Sequence, residues 1–83
     1  MHIRQLRKDL ERFVAKRGLA DKWLKAGILI EKNIRHPSLR VELLEPRWRG
    51  IYSFRLDRKY RALFFISDGE IEVFQITKHY RKS

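Results

Sequence analysis

The sequence predicts an α+β fold: an N-terminal helical hairpin packed on one face of a small, twisted, mainly antiparallel β-sheet. Three observations carry this. Apolar residues recur at helical spacing as far as Ile34, His36-Pro37-Ser38 ends that pattern, and the rest reads as short strands with an Asp-Gly turn. Eighty-three residues make a single domain with a modest core. Its helices are expected over about residues 3–34 and its sheet over about 38–80.

The first helix is expected over residues 3–17, because Ile3, Leu6, Leu10, Phe13 and Val14 fall on one face with charges between them. Gly18 suits its C-terminal cap. Asp21 suits the N-cap of a second helix running to about Asn33. Leu24, Ile28, Ile30 and Ile34 are expected on its buried side, and Gly27 weakens it. Pro37 disfavours helix in the residue before it. Four strands are expected beyond it: Leu39–Leu44, Ile51–Leu56, Tyr60–Ile66 and Ile71–Ile76. Residues 45–50 form a loop, and Asp68-Gly69 is a hairpin signal. No repeat, linker or low-complexity segment interrupts the chain.

Hairpin registers sort the faces of the sheet. A three-residue loop at Asp57-Arg58-Lys59 sets Leu56 opposite Tyr60 and Arg55 opposite Arg61. Tyr52, Phe54, Leu56, Tyr60, Ala62, Phe64 and Ile66 then share the core face, and a two-residue turn adds Ile71 and Val73. The second face carries Ser53, Arg55, Arg61 and Glu72, with Leu63, Phe65, Phe74 and Ile76 among them. A two-residue loop would drive Arg61 into the aromatic core, where an unpaired charge is expensive.

Twenty Lys/Arg against ten Asp/Glu give a net charge of +10, which favours a polyanionic partner: nucleic acid, an acidic protein or an anionic surface. The absence of cysteine excludes disulfides and thiolate chemistry and favours a cytoplasmic location. No apolar run approaches the roughly 20 residues of a membrane span, and Met-His-Ile-Arg-Gln has no signal-peptide core. His2, His36 and His79 lie too far apart to suggest a metal site.

Several segments together resemble the RelE/ParE superfamily of toxins from toxin–antitoxin pairs. They are His36-Pro37-Ser38-Leu39-Arg40-Val41, Gly50-Ile51-Tyr52-Ser53-Phe54-Arg55, the basic hairpin with Tyr60-Arg61, Asp68-Gly69, and the tail Lys78-His79-Tyr80-Arg81-Lys82-Ser83. The His-Tyr pair and its spacing to an arginine look most like the YoeB branch. Counted back from His79-Tyr80, that branch's arginine falls on Arg61; counted back from Gly50, its catalytic glutamate falls on Glu42. Two features depart from the pattern. Members usually open with a β-strand, whereas helical periodicity here begins at Ile3, so the sheet lacks an edge strand or residues 1–5 are extended. The tail Arg81-Lys82-Ser83 follows the His-Tyr pair, as in other RelE-like members.

The resemblance implies a ribosome-dependent mRNA endoribonuclease, working without metal or other cofactor, that blocks translation and is neutralised by an acidic antitoxin. In such members the ribose 2′-oxygen attacks phosphorus and leaves a 2′,3′-cyclic phosphate. Glu42 is then the candidate base, or else an exposed strand glutamate paired with an arginine. His79 is the candidate acid, since an imidazole suits proton donation near neutrality. Arg61 would grip the scissile phosphate bidentately, and Tyr80 would stack on a base or orient the phosphate. Arg55, Arg47, Arg49, Lys78, Arg81 and Lys82 are candidate RNA contacts. Trp48 either stacks on a nucleotide or, as the stronger expectation, covers the core edge. Phe13, Trp23 and Tyr60 belong to the core, and His36 shapes the Pro37 turn. An alternative scheme, that of RelE itself, relies on lysines and arginines and leaves Glu42 a bystander. Two other classes stay open: a ParE-like inhibitor of DNA gyrase, and a non-catalytic binder of RNA or antitoxin. Codon preference and oligomeric state are not encoded legibly.

Overall fold

The computed structural model describes residues 1–78. Two helices, α1 (Lys8–Lys16) and α2 (Ala20–Lys32), precede four strands: β1 (Glu42–Leu43), β2 (Tyr52–Arg55), β3 (Tyr60–Ser67) and β4 (Glu70–Lys78). The strands form one antiparallel sheet in the order β1-β2-β3-β4. This is the expected α+β arrangement. Short 3₁₀ turns at Pro37–Leu39 and Arg47–Arg49 flank β1. Among the described residues no helix is long and apolar enough to cross a membrane.

The first helix begins at Lys8, five residues later than its periodicity suggests. The preceding segment is extended and lies parallel to β4: the Arg4 amide donates to the Ile71 carbonyl and the Ile71 amide to the His2 carbonyl, each at 2.9 Å. Edge strand β4 offers these residues backbone partners that a helix would otherwise supply. Arg4 fastens the segment through Glu70 and Glu72, and the Ile3 amide donates to the Glu31 carboxylate at 2.8 Å. Extended residues 1–5, one of the two open alternatives, is the arrangement found.

Gly18 closes α1 as expected. Its φ of +66° lets Leu19 donate to the Val14 carbonyl and Gly18 to the Ala15 carbonyl, a Schellman arrangement. The second helix departs from expectation in two ways. Leu19 occupies the cap position without a side-chain bond, and Asp21 lies within the first turn. The helix buries Ala26 and Ile30, with Trp23 leaning on Phe54 at 6.0 Å between ring centres. Leu24 and Ile28, expected inside, are 63% and 58% exposed. Choosing the Trp23 side for the core rotates these two residues away from it. They border an open groove of about 510 Å³ whose floor includes Leu6, Val14 and Gly27.

The β2–β3 hairpin takes the expected register, with Arg55 opposite Arg61. Asp57 holds its loop by accepting from the Lys59 and Tyr60 amides at 2.8 and 2.7 Å and from Lys22 at 3.0 Å. Asp68 and Gly69, both at positive φ, make the tight β3–β4 turn. A bulge then interrupts this hairpin: Leu63 pairs with Gln75 but Phe64 with Val73, so Phe74 is the extra residue. The bulge corrects one expected position. Ile76 falls opposite Ala62 on the core face and is buried, rather than lying on the second face. Phe54, Phe64, Leu39, Ile30 and Ile71 form the centre of the core. Ile66, expected within it, lies beside the turn and is 42% exposed. Tyr60 packs edge-on against Phe13 at 5.7 Å, as core residues should.

Candidate active site

Strand alternation gathers the site on the sheet face away from the helices. Glu42 stands opposite Ser53 and Arg55 opposite Arg61, which in turn stands opposite Thr77. The Arg61 side chain reaches across this face. Its Nε donates to Ser53 Oγ at 3.0 Å, and its Nη2 donates to the Arg40 carbonyl at 2.6 Å and lies 3.8 Å from Glu42 Oε1.

Arg61 is on the expected face, but it is buried. Only 9% of its side chain is exposed, against 61% for Glu42. Lying off the helix-facing side therefore does not leave it open to solvent, because its guanidinium is bonded to the Arg40 carbonyl. Two of its nitrogens are already engaged, which also alters the expected bidentate grip on a phosphate. Burial pushes the Arg61 guanidinium down from its ordinary value, Arg55 and Arg40 push the same way, and Glu42 opposes them. Arg61 thus has one carboxylate and two further guanidiniums around it, a local excess of positive charge suited to an anionic group.

Backbone geometry builds this cluster. His36 Nδ1 accepts from the Ser38 amide at 3.2 Å and meets Ser38 Oγ at 2.8 Å, shaping the Pro37 turn as expected. That turn ends at Arg40, whose φ of +46° is left-handed and uncommon outside glycine. In this conformation the Arg40 carbonyl meets Arg61 and Leu39 enters the core. The expected strand from Leu39 consequently shrinks to Glu42–Leu43. Arg40 and Ser53 were absent from the expected site. Face parity placed Ser53 beside Arg61; nothing in the residue type signalled the Arg40 backbone.

The other expected residues scatter. Arg55 is half-buried and donates from Nε to the Asp57 carbonyl at 3.3 Å. Arg47 and Arg49 are exposed on the β1–β2 connection. Lys78 stands opposite Tyr60, one row beyond Arg61, and is exposed. His79, Tyr80, Arg81 and Lys82 lie outside the described residues. Trp48 is fully displayed rather than covering the core edge.

No family model matches the chain, and no curated protein does. Solved structures do. A YoeB/ParE toxin from Agrobacterium tumefaciens superposes with a TM-score of 0.67 at 19% identity, over 87% of this chain and 89% of that one. A chain of the heterotetrameric YoeB–YefM toxin–antitoxin complex from Staphylococcus aureus gives 0.68 at 17% identity, over 93% of this chain and 100% of that one. A second YoeB–YefM complex from the same organism gives the same values. The architecture is therefore that of the YoeB/ParE toxins, the superfamily fold that the motifs resembled.

Proposed function

We propose that this chain is the toxin of a toxin–antitoxin system and a metal-independent endoribonuclease that cuts mRNA on the ribosome, a cytoplasmic activity. The observation that carries the reading is the exposed Glu42 carboxylate held 3.8 Å from buried Arg61 with Arg40 and Arg55 close by. Glu42 takes the proton of the ribose 2′-OH as the 2′-oxygen bonds to phosphorus. The bond from phosphorus to the 5′-oxygen breaks, and His79 protonates that oxygen. The products are a 2′,3′-cyclic phosphate and a free 5′-OH. Arg61 stabilises charge on the phosphoryl oxygens through its field and the nitrogen not engaged with Ser53 or Arg40. Tyr80 orients the phosphate or stacks on a base. Arg55, Lys78 and Arg81 hold the backbone, with Arg47 and Arg49 further along the strand. The roles of His79, Tyr80 and Arg81 rest on the sequence resemblance.

An acidic antitoxin matches the net charge of +10. The second sheet face, expected to carry Leu63, Phe65, Phe74 and Ile76, offers it less apolar surface than that expectation implied. Ile76 is buried and the other three are half-buried, whereas Leu24 and Ile28 stand exposed together at the border of the α1–α2 groove. We place an apolar segment of the antitoxin there.

The test is incubation of purified protein with translating ribosomes, followed by primer extension on the mRNA. New 5′ ends dependent on the protein support the reading. Intact mRNA together with arrested gyrase supports the ParE-like alternative, and intact mRNA with active gyrase supports a binding protein.

A further inference from the structure

Trp48 is 84% exposed, more than any other large apolar side chain among the described residues. An indole is among the largest apolar surfaces a side chain offers, and the fold gains little by displaying one. The display is also built. Pro46 opens a 3₁₀ turn in which the Arg49 amide donates to the Pro46 carbonyl and the Gly50 amide to the Arg47 carbonyl, each at 3.1 Å. Below the turn the Leu44 amide donates to the Ile51 carbonyl at 2.8 Å, which closes the loop onto the sheet. The indole therefore stands on a hydrogen-bonded turn at the end of the strand that carries Glu42.

Arginines precede and follow it in the same turn. Arg47 has a distant contact with Glu45, at 3.8 Å, and both side chains are largely exposed. Arg49 is exposed as well. An open aromatic face between cations is the combination that holds unpaired nucleotides, because every base has a face to stack and every linkage a charge to neutralise.

We propose that Trp48 is a stacking platform for an unpaired base of single-stranded RNA, with Arg47 and Arg49 taking the adjoining phosphates. The choice of RNA as the strand rests on the ribonuclease reading; the platform itself rests on the exposure and the turn.

The test uses the full chain and labelled 2′-O-methyl oligoadenylate, which cannot be cleaved through its 2′-oxygen. Anisotropy titrations give the affinity. Trp48→Ala should weaken it roughly five- to hundredfold, and Trp48→Phe should regain most of the loss. Thermal melting should be unchanged, since the side chain makes no core contact. In a Trp23→Phe background Trp48 emission should be quenched by the single strand and not by a duplex of the same length. Unchanged affinity in Trp48→Ala, or equal quenching by duplex, overturns the platform. So does a loss confined to an acidic protein partner while RNA binding stands. If Trp48 governs RNA binding but ribosomes show no cleavage, the ribonuclease reading fails and the platform remains. If cleavage is robust while Trp48→Ala binds and cuts like wild type, the platform fails alone.

Discussion

Arg61 and Glu42 separate at the level of single residues because one is buried and the other is not. Removing the Arg61 side chain strips the Ser53 hydroxyl and the Arg40 carbonyl of a charged donor, so Arg61→Ala should lower stability by about 2–3 kcal/mol, read from urea unfolding. Its loss of cleavage would thus mix folding with chemistry. Glu42→Gln avoids this, because the side chain is exposed and nearly isosteric with its replacement. Single-turnover cleavage should fall by about 10²-fold or more while RNA binding and melting temperature hold. Cutting at the wild-type rate would favour the arginine/lysine scheme instead. Both residues were named through the family resemblance, counted from Gly50 and the tail, and strand parity gave the face of Arg61. Burial of Arg61 was not legible, because it depends on a carbonyl aimed from a segment twenty-one positions away.

At the level of elements, the loops and turns carried clear local signals. Gly18, Asp68-Gly69 and Pro37 each did what their backbone chemistry requires. Helix boundaries and faces were less legible, since they reflect competition between elements. Residues 3–7 have helical periodicity but were claimed by the β4 edge, and α2 turned toward Phe54. The Phe74 bulge, which moved Ile76 into the core, has no residue-type marker. Asp57 offers the test of an element. Burial pushes its carboxyl up, but Lys22 and the Tyr60 and Lys59 amides outweigh it, so the group lies below its usual range. A carboxyl depressed in the folded state stabilises above the unfolded value of about 3.9 and ceases to as pH falls through the folded value. Asp57→Asn, which loses the Lys22 pair, should therefore melt lower than wild type at neutral pH. That gap should narrow steadily as the pH falls below about 4.

Across the whole molecule, Leu24 and Ile28 border the helical groove, while Arg40, Arg55 and Arg61 come together at the sheet. Expression without a partner should arrest growth through loss of translation, visible as a fall in amino-acid incorporation before DNA synthesis slows. Leu24→Asp with Ile28→Asp should leave ribosome-dependent cleavage intact and abolish neutralisation by the antitoxin, measured by co-purification and rescue of growth. Retained rescue would move the antitoxin's seat elsewhere. The fold class was readable from periodicity; the exposure of Leu24 and Ile28 was not, because it follows from which side of α2 faces the sheet.

The left-handed backbone at Arg40 sets durability against potency. A side chain in that conformation costs about 1–2 kcal/mol that glycine would not incur. Arg40→Gly keeps the carbonyl that Arg61 needs and removes one of the two cations beside Arg61. The variant should survive higher urea yet hold RNA less well and cut it more slowly. One backbone position therefore trades the firmness of the fold against the positive charge around Arg61.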